Sequence, residues 1–317
     1  MNDRCDANRQ NENGATAFFL ACQSGLVSLV QLLADSPKVN VNLTKSDGTS
    51  PLYIAANRCH VDVVRHLLRL PRINPNGARE GGYTPLYVAA QEGHIPVIQE
   101  LLNDERVDPN LGNSFNTTSL LVACYSGRQD VIQVFLEDDR VDVNKACTDG
   151  TTPLWKAAEA GNMAVVKQIL GSGRSVDARV RSHRGHEVWS YTSASERARQ
   201  AEKNDVAELI EEYLRDPEKV KARLRRELQI DLAVVEKELE LPPLPISRVK
   251  PTRCRTPLDV TYLNLSKLGL REIPATIGNF QNLKTLKLSR NELKTLPEVI
   301  FTLKNLEVLN VESKEKK

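Results

Sequence analysis

The chain has 317 residues, and its 43 basic and 41 acidic side chains leave a net charge of +2. This balance argues against a protein that binds nucleic acid or an anionic membrane, because both functions need a basic excess. A composition that is 40% hydrophobic and 26% charged excludes a largely disordered chain. Aromatic residues make up only 5% of the chain, which favours several small cores over one large core.

The N-terminal residues are polar and contain no apolar segment of the kind that forms a signal peptide. The most apolar window, residues 18–34, is interrupted by glutamine and serine and is not long enough to span a bilayer. Six cysteines are scattered along the chain without a CxxC pair. We therefore expect reduced thiols, no membrane insertion and a cytoplasmic location, with the nucleus as an alternative.

Most of the chain repeats with a period of 34 residues. The period is carried by leucines (Leu52, Leu86, Leu120, Leu154), alanines (Ala21, Ala55, Ala89, Ala123, Ala157), hydroxyl residues (Thr16, Ser50, Thr84, Thr118, Thr152) and asparagines (Asn42, Asn76, Asn110, Asn144). Several coincident series at one spacing indicate a repeat architecture.

Each series has a local structural role. A hydroxyl residue followed by proline, as in Ser50-Pro51, is typical of a helix start. A preceding Asn-Gly or Asp-Gly pair, such as Asp47-Gly48, indicates a tight hairpin, because both turn residues need positive φ. A second glycine, such as Gly93, predicts the end of the first helix, and apolar residues at helical spacing follow. Every unit is therefore predicted to contain a hairpin, a short helix, a turn and a longer helix.

The segments TPLYVAAQEGH (84–94) and DGTSPLYIAANRCH (47–60) resemble ankyrin repeats. This resemblance covers roughly residues 10–214 and implies a mainly α-helical solenoid of about six repeats. We place the repeats at 11–46, 47–80, 81–114, 115–148, 149–182 and 183–214, after a disordered segment at 1–10. The sixth repeat departs from the period because extra residues are inserted into its hairpin, and its charged outer helix is typical of a terminal repeat.

After residue 257 the period changes to 23 residues. Leu283, Leu286, Leu288, Asn291 and Leu293 fit the pattern LxxLxLxxNxL, which recurs less completely on either side. This pattern resembles leucine-rich repeats, so residues 258–317 are predicted to begin a short α/β solenoid that is incomplete. Residues 215–257 are predicted to form a helical and proline-containing linker. Ankyrin repeats followed by leucine-rich repeats are similar to the domain order of some ROCO-type GTPase–kinases.

The sequence carries no recognised motif for catalysis or cofactor binding. It has no GxGxxG, GxxxxGK[ST], GxSxG or HExxH motif and no paired CxxC. We therefore predict a protein that is not an enzyme, with no catalytic residues, no cofactor, no metal and no small-molecule substrate.

Several residues of types that often carry chemistry are interpreted as structural. His60 and His94 share one position of the repeat, and Cys22 and Cys124 share another, where small buried thiols fit. Cys59 occupies a glycine position, which predicts a residue with positive φ. The carboxylates of Asp138-Asp139 are interpreted as part of a solvated link.

In ankyrin repeats, partners are held by the hairpin tips and by the exposed side of the first helix. Three residues after the helix cap, where the family commonly has histidine, this chain has Phe19, Tyr53, Tyr87, Leu121 and Trp155. These side chains are predicted either to form an apolar, aromatic stripe for partner binding or to fill the contact between adjacent repeats.

Other candidate contacts lie further along the first helices and in the hairpins. Residues that differ between repeats and are predicted to face solvent are Asn57, Arg58, Gln91, Glu92, Tyr125 and Glu159. At the hairpin tips, Tyr83 and Phe115 are predicted to serve either partner contact or local packing. Arg184 and Trp189 belong to the basic insert of the sixth repeat, interpreted either as a site for an acidic or phosphorylated partner or as a solvated loop.

The main functional hypothesis is a non-catalytic scaffold that binds a partner protein, whose identity the sequence does not give, through the ankyrin concave face and hairpin tips. The alternative is the N-terminal recognition region of a larger ROCO-type signalling protein, with catalytic domains elsewhere. A third hypothesis, nucleic-acid binding through the basic insert, predicts strongly salt-dependent affinity and is disfavoured by the charge balance.

Overall fold

The computed structural model describes residues 6–182, 192–227, 262–265, 270–289 and 291–311. These residues form thirteen α-helices, two 3-10 helices and five short strands. The chain divides into two compact bodies, Met1–Val166 with Val176–Glu211, and Lys167–Ser175 with Glu212–Lys317. Within the described residues, no helix is both long and apolar enough to cross a membrane.

Twelve of the helices form six consecutive pairs, and we call each pair, with its preceding hairpin, a module. Modules 1 to 3 contain α1 (Ala17–Gln23) and α2 (Val27–Ala34), α3 (Pro51–Asn57) and α4 (Val61–Arg69), and α5 (Pro85–Glu92) and α6 (Ile95–Asn103). Modules 4 to 6 contain α7 (Ser119–Tyr125) and α8 (Gln129–Leu136), α9 (Pro153–Glu159) and α10 (Met163–Gly171), and α11 (Ala194–Gln200) and α12 (Asn204–Arg215).

The helix caps form as predicted. The side-chain oxygens of Thr16, Ser50, Thr84, Thr118 and Thr152 each accept a hydrogen bond from the backbone N–H three residues on, at 3.0–3.2 Å. Ser193 caps α11 in the same way, and Glu196 completes a capping box with the Ser193 backbone. Each first helix is therefore fixed at its N-terminus by its own sequence.

The glycine positions of the turns follow the prediction, but Asp47 does not have positive φ, so the expectation of positive φ at both residues of the Asp47-Gly48 turn is wrong. The glycines Gly48 and Gly93 have positive φ, as do the non-glycine residues Cys59 (59°) and Asn116 (57°) that replace glycine in other modules. Asn116 also uses its side chain, because its Nδ2 donates to the Ala146 carbonyl at 2.9 Å. Asparagine tolerates this backbone region better than most residues.

Successive modules are joined by an asparagine ladder in the links. Asn42 Nδ2 donates to the Arg72 carbonyl at 2.7 Å, and Asn42 Oδ1 accepts from the backbone N–H of Asn74 at 2.8 Å. The same pair of bonds recurs at Asn8, Asn76 and Asn110. Each asparagine thus supplies both a donor and an acceptor to the next module, which explains the fixed spacing of this residue.

An arginine series, absent from the sequence-based predictions, strengthens the same junctions. The guanidinium of Arg140 donates from Nη2 to the Leu102 carbonyl at 2.6 Å, and Arg72 Nη2 bonds the Ala34 carbonyl at 2.6 Å. Both arginines therefore satisfy carbonyls near the end of the preceding second helix. Asp138 holds Arg140 through an ion pair of 2.6 Å and is itself buried. The interpretation of Asp138 as solvated is therefore wrong.

The insert of module 6 lies between two short strands. Strand β1 (Arg181–Ser182) pairs with β2 (Thr192–Ser193) in an antiparallel arrangement. Arg184 and Trp189 lie between these strands, outside the described residues. After α12, helix α13 (Pro217–Glu227) occupies the start of the predicted linker.

The C-terminal region contains a parallel sheet of three strands, β3 (Tyr262–Asn264), β4 (Thr285–Lys287) and β5 (Val308–Asn310). Leu263 pairs with Leu286, which pairs with Leu309, so the register follows the 23-residue period. Two 3-10 helices, Ala275–Asn279 and Glu298–Thr302, lie between the strands in sequence. The core between these elements comprises Leu263, Leu265, Ile273, Ile277, Phe280, Leu283, Leu286, Leu288, Ile300 and Leu303.

Candidate protein-binding surface

The side chains three residues after the caps are buried and do not form an exposed stripe. Leu121 and Trp155 are almost completely inaccessible, and Tyr53 and Tyr87 retain only 7% of their exposure. The prediction of an apolar, aromatic stripe for partner binding is therefore wrong, since Phe19 is buried as well.

Two of these side chains, Trp155 and Tyr53, bond the hairpin of the following module. Trp155 Nε1 donates to the Thr192 carbonyl at 2.9 Å. Arg79 lies in the next hairpin and forms a hydrogen bond with the Tyr53 side chain. This bond is the main reason why the pKa of Arg79 is raised. The alternative interpretation, that these residues fill the contact between adjacent repeats, is the one that the packing supports. They occupy the position in which the family commonly has histidine.

The residues near the C-terminal ends of the first helices are the accessible ones. Arg58, Gln91 and Glu92 are exposed, whereas Asn57 and Glu159 are half-buried. Tyr125 keeps 38% of its exposure, which is high for an aromatic residue. The structure therefore places all of these predicted residues at accessible or partly accessible positions.

Modules 4 to 6 share a charged network around Tyr125. Lys156 Nζ lies 4.5 Å above the Tyr125 ring and 2.6 Å from a carboxylate oxygen of Glu159. The other Glu159 oxygen lies 2.8 Å from Arg197 Nη2, and that guanidinium sits 5.5 Å from the Trp155 ring. The network fixes the orientation of Tyr125 through a cation–π contact.

Sequence reasoning named Glu159 but missed Lys156 and Arg197. The repeat pattern could have indicated both residues. Lys156 lies four residues after the cap Thr152, and Arg197 lies four residues after the cap Ser193, while Glu159 lies seven residues after Thr152. The insert in module 6 shifts the numbering and hides this correspondence.

The two aromatic residues at the hairpin tips have different environments. Phe115 is 65% exposed. Tyr83 is half-buried and packs edge-to-face against Tyr87, with ring centroids 5.1 Å apart and an interplanar angle of 63°. Phe115 is therefore available to a partner, whereas Tyr83 contributes to local packing.

Backbone hydrogen bonds between neighbouring tips hold Phe115 in place. Ser114 N–H donates to the Gly81 carbonyl at 2.8 Å, and Thr148 N–H donates to the Phe115 carbonyl at 2.9 Å. A Cβ atom on Gly112 would lie 2.5 Å from the carbonyl carbon of Asn116, so this tip requires glycine there. The corresponding position is Thr44 in module 2 and Ala78 in module 3, a difference that sequence reasoning did not use.

The histidines and cysteines have the structural roles predicted for them. His60 Nε2 donates to the Gln23 carbonyl at 2.9 Å, and His94 Nε2 donates to the Asn57 carbonyl at 3.0 Å. Burial raises the pKa of the Cys124 thiol to about 12, so this side chain stays protonated at neutral pH. No cluster of three potential metal ligands occurs among the described residues.

The first compact body is thus a solenoid of paired helices and hairpins held together by repeated side-chain bonds. A family model described as ankyrin repeats, in three copies, matches residues 2–78, 38–113 and 86–180, which is more than half of the chain. The chain therefore belongs to the ankyrin-repeat proteins, and ankyrin repeats are generally modules for protein–protein interaction. No curated protein matches the chain.

Proposed function

We propose that this chain is a non-catalytic scaffold that binds a partner protein through the concave face formed by its first helices and through its hairpin tips. The exposed surface of module 4 supports this proposal most directly. There, Phe115 and Tyr125 present two accessible aromatic rings on a backbone that neighbouring modules hold in place. Rigid aromatic anchors contribute much of the binding energy at protein interfaces, because they bury a large apolar area and lose little entropy.

Residues on both sides of module 4 would provide specificity. Arg58, Gln91 and Glu92 are exposed and differ in charge, and Lys156 and Glu159 lie beside Tyr125. Accessible aromatic residues accompanied by polar residues are common at protein interfaces. Partner binding would therefore depend on Phe115 and Tyr125 for affinity and on the charged rim for selection.

The test replaces both rings and compares the proteins captured from a cell extract. The variant Phe115→Ala/Tyr125→Ala should lose the partners that the full chain captures, while its circular dichroism spectrum stays unchanged. Thr84→Ala is the matched control, because it removes a buried cap and destabilises the array by about 1 kcal/mol without altering the exposed rings. An unchanged set of captured proteins for the double variant would refute this surface assignment.

We further propose that residues 258–317 begin a leucine-rich array. Three parallel strands in a 23-residue register support this assignment, as do the bonds of Asn291. Its Nδ2 donates to the carbonyls of Leu265 and Leu288 at 2.7 and 2.8 Å, so the asparagine of the repeat pattern ties neighbouring turns of the backbone.

This C-terminal register also favours the alternative function, the N-terminal recognition region of a larger ROCO-type GTPase–kinase that acts in cytoplasmic signalling. The full-length transcript distinguishes the two proposals. A phosphate-binding loop between a strand and a helix downstream of these residues would favour the signalling enzyme. A stop codon directly after Lys317 would favour the scaffold.

A further inference from the structure

The hairpin of module 4 exposes two apolar side chains that its turn does not require. Phe115 is 65% exposed and Leu111 is 38% exposed, and we call these two residues the hairpin patch. At the position of Phe115, modules 1, 2, 3 and 5 have Asn13, Asp47, Gly81 and Asp149. A large ring is therefore not needed to form this tip, and its exposure points to a contact outside the array.

Exposed carboxylates lie next to the hairpin patch on both sides. The tip of module 3, which carries Glu80, accepts a backbone hydrogen bond from Ser114 at 2.8 Å. On the other side, the backbone N–H of Asp142 donates to Asn110 Oδ1 at 2.7 Å. Asp108 lies two residues before Asn110 in the same link. The side chains of Glu80, Asp108 and Asp142 are all exposed, so the patch has an acidic border.

This acidity is confined to the middle of the array. The two repeats at 81–114 and 115–148 together contain ten acidic and four basic residues. The repeats on either side, 47–80 and 149–182, each contain five basic and three acidic residues. The hairpin patch therefore lies in a negative region between two positive ones, although the chain as a whole is almost neutral.

Most cations close to the patch are already held by internal bonds. Arg106 and Arg140 each form an ion pair with an aspartate of their own link and also bond carbonyls of the preceding module. Arg128 donates to a carbonyl of module 3, and Arg79 pairs with an aspartate of module 2. Among the described residues, Lys145 is the one cation of the two acidic repeats whose side chain forms no such bond. One lysine leaves the border of the patch negative.

The turns themselves do not require negative charge. Asp108 and Asp142 each accept a hydrogen bond at 2.9 Å from the backbone N–H two residues on. Asn40 and Asn74 occupy the equivalent positions of earlier links and accept the same bond at 3.0 and 3.1 Å. A neutral asparagine thus serves the turn equally well, while neighbouring carboxylates repel one another. The charge is better explained by a cation that comes from outside the chain.

We propose that the hairpin patch binds a basic segment of the partner protein, in which Lys or Arg side chains flank an apolar residue. The apolar residue covers Phe115 and Leu111, and the cations meet the three bordering carboxylates. An acidic segment would be repelled there, because complementary charge selects the partner and speeds its encounter. This proposal rests on the protein-binding function proposed above, since it names the chemistry of the partner at the same surface.

The probe for this proposal is a random peptide library displayed on phage and selected on the immobilised full chain. Peptides that bind the wild-type chain but not Phe115→Ala should be enriched in Lys and Arg relative to the unselected library. One of these peptides, synthesised with a fluorescent label, then gives dissociation constants by anisotropy.

The decisive variant is Glu80→Gln/Asp108→Asn/Asp142→Asn, which removes three charges and keeps the turn bonds. It should bind the labelled peptide about tenfold more weakly than the wild-type chain at low salt. The difference should shrink at about 1 M salt, where the screening length is about 3 Å. The matched control removes three exposed carboxylates elsewhere and should bind like the wild-type chain: Glu208→Gln/Glu272→Gln/Glu298→Gln.

The outcomes separate this proposal from the function on which it rests. Peptides that require Phe115 but are not enriched in Lys and Arg overturn the basic partner and leave the binding surface in place. Equal affinity of the wild-type chain and the decisive variant has the same meaning. Peptides that bind Phe115→Ala/Tyr125→Ala as tightly as the wild-type chain overturn the binding surface as well. A library that yields no binder also overturns the proposal.

Discussion

Side-chain and backbone bonds join the repeating units in both the helical array and the C-terminal body, but among the described residues a parallel strand ladder joins units in the C-terminal body alone. In the array, side chains such as Asn110 and His94 bond the backbone of a neighbouring module. In the C-terminal body, the backbone itself forms the ladder, as when Leu265 N–H donates to the Lys287 carbonyl at 2.8 Å. The Asn291 side chain adds to this ladder by bonding the Leu265 and Leu288 carbonyls, so the size of each side chain's contribution should depend on its burial as well as on the region in which it lies.

The largest expected effect concerns the junction between modules 5 and 6. Trp155→Ala removes a fully buried ring and leaves the Thr192 carbonyl without its donor, so it should destabilise the array by about 3–5 kcal/mol. Trp155→Phe keeps most of the ring and should be milder, at about 1–2 kcal/mol. Urea unfolding followed by circular dichroism measures both. A loss below about 1 kcal/mol for Trp155→Ala would contradict this account of the junction.

The second test compares one asparagine in each region. Asn291 is buried, donates to two carbonyls and accepts from the Leu270 N–H, whereas Asn110 is half-buried and makes one bond as donor and one as acceptor with the next module. Asn291→Ala should therefore reduce local stability by about 2–3 kcal/mol and Asn110→Ala by about 1 kcal/mol. Hydrogen exchange at the Leu270 amide, which donates to Asn291 Oδ1, reports the first substitution, and exchange at the Asp142 amide, which donates to Asn110 Oδ1, reports the second. Equal losses of stability for the two variants would show that the deeper burial of Asn291 does not make its hydrogen bonds more stabilising than those of Asn110.

The periodic features of the fold could be predicted from sequence because each depends on residues close together in the chain. The cap at Thr84, the positive φ of Cys59 and the buried thiol of Cys22 all follow from a position within one module. The family match confirms the ankyrin assignment.

The binding surface was harder to predict because it depends on contacts between modules. Whether Tyr87 faces a partner or the next hairpin is decided by a hairpin 26 or more residues away, which its own repeat does not reveal. The bond between Arg197 and Glu159 likewise crosses the module 6 insert.

The only stabilising effect, no larger than that of Asn110→Ala, is expected in module 4. Ser119 occupies the position held by Pro51, Pro85 and Pro153 in other modules, and its buried hydroxyl has no hydrogen-bond partner among the described residues. The backbone is already compatible with proline, because Thr118 has φ −80° and ψ 167°, close to the values of Thr84 before Pro85. Ser119→Pro should therefore raise the free energy of unfolding by about 1 kcal/mol, through removal of the unpaired hydroxyl and restriction of the unfolded chain.

The control Ser119→Ala separates these two contributions, because it removes the hydroxyl without restricting the backbone. It should recover only part of the gain, and urea unfolding of the two variants and the wild-type chain measures the difference. If Ser119→Pro lowered stability, module 4 would differ from modules 2, 3 and 5 at the start of its first helix as well as at its hairpin tip. Equivalent positions in different modules could then no longer be treated as interchangeable along the array. The comparison with the strand ladder of the C-terminal body would have to be made for each module separately.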